Sequence, residues 1–411
     1  MNSVHIVLVP GFAGFDALGQ MEYFACVTPQ FRQWQHGRAA PAVLHYFDNF
    51  PTASVVTRAG RLRNYLAKRI ARGEFQAGDR LALVGHSTGG LDIRWLLWDL
   101  TQPRREAIAA DGAKVQPAEI LDRICRIVFL SVPHWGTSIA DWVRSCLLAR
   151  VAVIDELRAV VAASQVPLID SLQSRVAAAV AGLTGIQLLQ ALQDALRETD
   201  AGACHGDPAC VAGAHEAASE LGLWLRHMAW DFHAIDDLAS QAPSGDPRSP
   251  AHFTPRMRAR ERARWGKNIK TKSYATLGKP PADGRSGIVY DWCYRACANG
   301  PFDHTVPRDW SRLPCLAAQQ AHTGPWYDPE RITPGDNDGI VNTASMLWPD
   351  AEETVLVVGD HMDIVGHYKL VDMDGAGAGR RYRAYDLLES ASGFDDIAFA
   401  EVWNGIFTFC A

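Results

Sequence analysis

Short β-rich runs alternate with stretches whose apolar residues recur at helical spacing, and this alternation constrains the fold more than any other feature. The runs are Val4 to Val9 (VHIVLV), Val43 to Phe47 (VLHYF), Leu81 to Val84, Ile127 to Val132 (IVFLSV), Ser273 to Leu277 and Thr354 to Val358 (TVLVV). Between the second and third, residues 53–72 carry Val56, Leu62, Leu66 and Ile70 at helical spacing, with the arginines expected on the other faces. Leu91 to Leu100 reads as the helix after the third strand, and Asp396 to Phe409 as a closing amphipathic helix. Strands separated by helices predict an α/β fold: a mostly parallel central sheet with helices on both faces.

Residues 138–265 interrupt this rhythm. Val151, Ile154, Leu157 and Val161 repeat at helical spacing, as do Leu172, Val176, Val180 and Leu183, and then Leu188, Leu192 and Leu196. The segment reads as helices inserted between two strands, with a loop at 202–213 and a turn-rich connector, APSGDPRSP, at 242–250. Residues 1–137 and 266–411 would form the core, and 138–265 a helical cap or lid. At 411 residues and 48% hydrophobic, the chain has ample apolar material for one large core with such an insertion.

The formal net charge of −6 argues against a nucleic-acid surface, which needs clustered Lys and Arg. No stretch approaches the roughly 20 apolar residues that span a bilayer. The N-terminus shows no basic segment followed by an apolar run, so a cytoplasmic protein is expected, or a secreted one if the sequence starts at a mature end. Nine cysteines, an odd number, do not read as a disulfide framework. Cys204 with Cys210 and Cys293 with Cys297 are spaced for local pairing, but no second His/Cys pair at zinc spacing accompanies them.

The chemistry is concentrated in Gly85-His86-Ser87-Thr88-Gly89-Gly90, between a strand and a helix. A serine in Gly-x-Ser-x-Gly sits on a sharp strand-to-helix turn whose strained backbone requires small neighbours two residues to each side. The turn lifts the hydroxyl above the sheet edge and aims the next backbone N–H, at the positive end of a helix, toward a developing oxyanion. Ser131 and Ser138 lack such surroundings. The first strand ends in Val9-Pro10-Gly11-Phe12, where a second N–H is expected, so the oxyanion donors are read as Phe12 and Thr88.

A base and an orienting acid must follow. His361, in Gly359-Asp360-His361-Met362-Asp363 just past the last strand-like run, is the expected base. His134, His304, His322 and His367 have ordinary surroundings. The acid is sought in Gly335-Asp336-Asn337-Asp338-Gly339-Ile340-Val341, where Asp336 and Asp338 compete, and Asp338 leads directly into an apolar segment. Asp338 would fix the tautomer of His361, which would take the proton of Ser87.

Four separated motifs resemble those of the bacterial true lipases of the α/β-hydrolase fold: Val9 to Phe12, Gly85 to Gly90, Ser131-Val132-Pro133-His134-Trp135-Gly136-Thr137, and Asn337-Asp338-Gly339-Ile340-Val341-Asn342-Thr343. The resemblance covers roughly the first and last 140 residues and is thin across the cap. It implies that Asp338 is the triad acid. It also implies a structural calcium held by Asp363, two positions after the histidine. Pro10 departs from the family's histidine in the oxyanion turn. No cofactor is expected for the chemistry, and residues 50–80 lack the paired histidines of the zinc site found in one branch.

The expected activity is hydrolysis of carboxylic esters of lipid-like substrates, by a triacylglycerol-lipase-like enzyme. Trp224, Trp230, Phe232 and Phe253 in the cap suggest an apolar lid over an acyl pocket, making transient contact with lipid surfaces. An intracellular esterase or polyester depolymerase with the same triad, an acyl transferase, and a silent hydrolase-fold binding protein are the alternatives. Reaction with a fluorophosphonate separates the last from the others.

Overall fold

The computed structural model describes residues 3–12, 17–18, 21–38, 41–51, 53–102, 106–142, 237–240, 269–281, 285–300, 302, 313–320, 332–348, 354–369, 371–372, 383–384 and 386–411. Six strands form one parallel sheet: β1 (Val4–Val9), β2 (Ala42–Tyr46), β3 (Arg80–His86), β4 (Ile124–Leu130), β5 (Lys270–Leu277) and β6 (Thr354–Val358), in the order β6-β5-β4-β3-β1-β2. All six residues of β1 are buried, as are all of β3 after Arg80. Such strands need cover on both faces. One face is packed by α2 (Val55–Ala71) and α3 (Thr88–Leu100), the other by α1 (Val27–Gln35) and α5 (Asp396–Cys410), and each face has its own apolar core. The α/β architecture expected from the alternating pattern is the one observed.

Strands β1 and β6 match their sequence-derived limits, β2 and β4 are shifted toward the N-terminus of theirs, and β3 and β5 extend past theirs. Strand β3 continues through Gly85 and His86, which pair with Phe129 and Leu130 of β4, so the serine turn is the strand's own end. Helix α3 starts at Thr88 and takes Gly89 and Gly90 into its first turn, where helix propensity alone would not place them. Close approach explains both glycines. A Cβ on Gly89 would strike the Val9 carbonyl, and one on Gly90 the Val132 side chain.

Helix α2 corrects one expectation. Its buried face is Val55, Arg58, Ala59, Leu62, Leu66 and Ala67, so one arginine lies on the apolar face and is 0% exposed. Ser54 caps this helix through its side chain on the Thr57 N–H, and Asp395 caps α5 on Ile397 and Ala398. A further helix, α4 (Ile288–Ala298), follows β5 and carries Cys293 and Cys297 as free thiols. It was not foreseen, nor was a small sheet of two-residue strands that joins Ala17–Leu18 and Met21–Glu22 to Val371–Asp372 and Arg383–Ala384.

Of the expected cap, only 138–142 and 237–240 are described. The two pieces meet, with Ser240 bonded to Asp141 and Asp237 accepting the Val55 N–H at 2.7 Å. The apolar stripes from Val151 to Leu196, the four cap aromatics and the loop at 202–213 lie outside the described residues. No described helix is long and apolar enough to cross a membrane.

Candidate active site

Ser87 stands at the end of β3 with φ 52° and ψ −130°, a backbone conformation strained for any residue with a Cβ. Its N–H is held by the Leu130 carbonyl at 2.8 Å, which continues the β3–β4 ladder through the turn. A Cβ on Gly85 would lie 2.6 Å from the Gly90 backbone nitrogen, so strand end and helix start touch. The glycines flanking the serine are thus required by space. Thr88 is the first residue of α3, and its N–H is among the four that no carbonyl of the helix itself accepts.

The turn after β1 lies against this elbow. A Cβ on Gly11 would come within 2.6 Å of Ser87 Cβ and 2.7 Å of Tyr23 Oη. Arg58 holds the turn from behind: its Nη2 donates to the carbonyls of Pro10 at 2.7 Å and Gly11 at 3.0 Å. In a trans peptide the N–H points opposite to the C=O. Drawing the Gly11 carbonyl toward Arg58 therefore turns the Phe12 N–H to the opposite side. Arg58 also donates through Nη1 to Phe50 at 2.6 Å, and through Nε to both carboxylate oxygens of Asp92 at 3.1 and 3.0 Å. Burial pushes the Asp92 carboxyl up to about 6, and the Arg58 guanidinium beside it opposes the rise.

Asp338 and His361 come together. His361 Nδ1 is 2.7 Å from Asp338 Oδ2, with both residues buried. The rest of the carboxylate is filled: Oδ1 accepts the N–H groups of Ile340 at 3.1 Å and Val341 at 2.8 Å, and the Thr276 hydroxyl lies 2.5 Å from Oδ2. Backbone bonds stitch the two loops to the sheet. The His361 N–H donates to the Asp338 carbonyl at 2.9 Å, Gly278 N–H to the Asn337 carbonyl and Gly359 N–H to the Leu277 carbonyl. Asp336 lies elsewhere and accepts the Thr333 N–H at 2.5 Å, closing its own turn.

Two of the sequence motifs and the residues just after them interlock around Asp338. Thr137 Oγ1 donates to the Ile340 carbonyl at 2.6 Å, Ser138 N–H to Asn342 Oδ1 at 2.9 Å, and Ser345 Oγ to the Gly136 carbonyl at 2.5 Å. Ser131 is buried with its Oγ 2.9 Å from Thr276 Oγ1, and His134 packs on Phe129 and Trp348. His367 Nε2 is 3.0 Å from the Glu22 carbonyl. His304 and His322 lie outside the described residues.

The Ser87 turn meets the His361 loop through His86. Its ring centroid is 4.6 Å from that of His361, and its Nε2 lies 3.0 Å from the His361 carbonyl. Burial, reinforced by the neighbouring His361, lowers the affinity of His86 for a second proton well below that of a free imidazole. The Ser87 turn, the Gly11–Phe12 turn, Asp338 and His361 thus gather at the C-terminal edge of the sheet.

Asp363 sits beside this cluster with Asp360 and Asp386, their nearest ligand atoms all within 4.8 Å of one another. Burial raises Asp360 to about 6, and burial with the charge of Asp360 lifts Asp363 well above the usual carboxylate range. Asp360 Oδ2 is buried without a hydrogen-bond partner. Two oxygens on opposite sides of a calcium ion lie roughly 4.6–5.2 Å apart, so the donor set suits that ion. Sequence reasoning missed Arg58, Asp92, Tyr23, His86 and Asp360. A charged residue in phase with Val55 and Leu62 was the available signal for Arg58, and Asp92 within the apolar LDIRWLL run the signal for its partner.

No family model and no curated protein sequence matches the chain. Among solved structures it is similar to lipase 1 from Pelosinus fermentans, at 16% identity over 89% of this chain and 94% of that one, with a TM-score of 0.41. It is also similar to mature Bacillus licheniformis lipase BlEst2 (13% identity, 88% and 85% of the two chains, TM-score 0.38). A third likeness is to the metagenomic carboxyl esterase MGS0156 (13% identity, 99% and 75% of the two chains, TM-score 0.38). At these identities and scores, only the residues of the site itself can carry its chemistry.

Proposed function

We propose that the chain is a serine hydrolase of the α/β-hydrolase fold that cleaves carboxylic esters. The observation that carries this is the buried Asp338–His361 pair, packed through His86 against a serine held in an elbow of positive φ. Ser87 Oγ attacks the ester carbonyl carbon and gives its proton to His361 Nε2. Asp338, bonded at Nδ1, fixes the tautomer and stabilises the imidazolium. The Phe12 and Thr88 N–H groups face the oxyanion of the tetrahedral intermediate. Its collapse expels the alcohol, which takes the proton from His361 and leaves the acyl group on Ser87. Water then attacks the acyl-enzyme with His361 as base, releasing the acid and restoring the serine.

The substrate reading is an acylglycerol or other long-chain acyl ester, supported by the apolar repeats of the insertion. Asp363, with Asp360 and Asp386, would hold a calcium ion beside the base loop. The ion would neutralise three crowded carboxylates, two of them buried, and brace the loop without entering the reaction. Incubation with a fluorophosphonate, followed by peptide mapping, tests the nucleophile. The adduct is expected on Ser87 alone, and absence of labelling, or labelling elsewhere, overturns the assignment.

A further inference from the structure

We infer that Tyr23 and His86 form a hydrogen-bonded link that positions the oxyanion turn relative to the base loop, so that both are positioning residues for the reaction. The inference rests on the hydrolase reading of the site. It begins with atoms whose roles are fixed. The His361 carbonyl can only accept, so His86 Nε2, 3.0 Å away, carries the hydrogen. In a neutral imidazole the other nitrogen then only accepts, so the Tyr23 hydroxyl, 2.6 Å from His86 Nδ1, is the donor there. The Tyr23 oxygen in turn accepts the Gly11 N–H at 2.9 Å. All four residues fall into one chain of donors: Gly11 N–H to Tyr23, Tyr23 to His86, His86 to His361.

Each end of that chain adjoins a reacting group. Gly11 directly precedes the proposed oxyanion donor Phe12, and its Cα faces Ser87 closely enough to exclude a Cβ. The His361 carbonyl belongs to the proposed base itself. Tyr23 and His86 are 4% and 0% exposed, so water does not compete for these bonds, and an unmet partner would be costly. Burial keeps Tyr23 a phenol and His86 neutral, the two states the chain requires. Arg58 fixes the carbonyl side of the Pro10–Gly11 peptide, and Tyr23 holds its N–H side. The turn is therefore gripped from both directions, and the Tyr23 side of the grip runs to the base.

The test uses the full chain with a p-nitrophenyl ester, comparing wild type, Tyr23→Phe, His86→Gln and the double variant. Tyr23→Phe removes one oxygen and keeps the ring. It is expected to lower kcat about tenfold with KM within twofold. His86→Gln retains a donor toward the His361 carbonyl but breaks the bond to Tyr23, and is expected to show the same split. Because both changes cut one link, the double variant should lose no more than about twofold beyond the larger single loss. Losses that multiply, a rise in KM with kcat unchanged, or wild-type kcat in Tyr23→Phe would each overturn the inference. If Tyr23→Phe does not fold, the kcat and KM of His86→Gln decide. A wild-type chain that hydrolyses no ester overturns the hydrolase reading and the link with it.

Discussion

Replacing Arg58 by methionine separates what this buried side chain does for stability from what it does for the proposed oxyanion turn. The guanidinium is fully buried, with one face on the Asp92 carboxylate and the other on the carbonyls of Pro10, Gly11, Phe50 and Pro51. Removing one partner of such a pair costs about 3–5 kcal/mol, because the other charge is left uncompensated. Asp92, already raised to about 6 with Arg58 beside it, would bind a proton at neutral pH, which limits the cost to the lower part of that range. Adding Asp92→Leu removes the stranded carboxyl, and exchange of a buried ion pair for apolar groups is often neutral or favourable by ~1–4 kcal/mol. The double variant should therefore recover much of the lost stability in urea unfolding. It should not recover activity. The turn carbonyls still lack their donor, the Phe12 N–H loses its orientation, and loss of one oxyanion donor lowers kcat roughly 100- to 1,000-fold. A double variant that regains both stability and wild-type kcat on a p-nitrophenyl ester would refute the orienting role of Arg58.

Asp338→Asn is expected to fold and to lower kcat on the order of 10⁴-fold. The Ile340 and Val341 N–H groups hold the amide oxygen at the Oδ1 position, so the NH₂ faces His361 Nδ1 and forces the ring hydrogen onto Nε2. A kcat within tenfold of wild type would contradict this, read beside a circular-dichroism check of folding. The acidic cluster predicts a cation-dependent stability with a definite sign in pH. Below about pH 4 its carboxyls are protonated in folded and unfolded chains alike. Between about pH 4 and the raised folded value of Asp360, about 6, the unfolded chain ionises while the folded one keeps its proton, so the cluster costs increasing stability. Asp363, lifted well above the usual carboxylate range, continues the trend to higher pH. Without divalent cations, Asp363→Asn should accordingly raise Tm relative to wild type, by a margin that grows from pH 4 to pH 7. Calcium should raise Tm of the wild type and not of the variant. Equal Tm in EDTA and calcium would refute a bound ion.

Most of the sheet was legible because strand and helix periods are local. VHIVLV and TVLVV are apolar except at His5 and Thr354, as strands covered on both faces should be nearly throughout, and Thr354–Val358 matches its expected span. The elbow was legible because a strained serine needs small neighbours at fixed offsets. Long-range polar contacts were not. Arg58 was assigned to a solvent face because charge usually prevails in reading a helix, and only the turn at residues 10–11, far away in sequence, gives it buried acceptors. Tyr23 and His86 pair across 63 residues, and no spacing rule relates them. Asp363 was singled out by the resemblance, whereas Asp360 and Asp386 join it only in three dimensions.

The central claim is that Ser87 is the nucleophile of an ester hydrolase. It is tested most directly by initial rates on p-nitrophenyl esters from two to sixteen carbons and on emulsified triolein, for wild type and Ser87→Ala. Wild-type hydrolysis that rises toward long chains and triolein, and is abolished in Ser87→Ala, is the predicted result. Activity confined to short esters and still lost in the variant would keep the nucleophile and contradict the long-chain substrate. Hydrolysis that survives in Ser87→Ala would contradict the account at its centre.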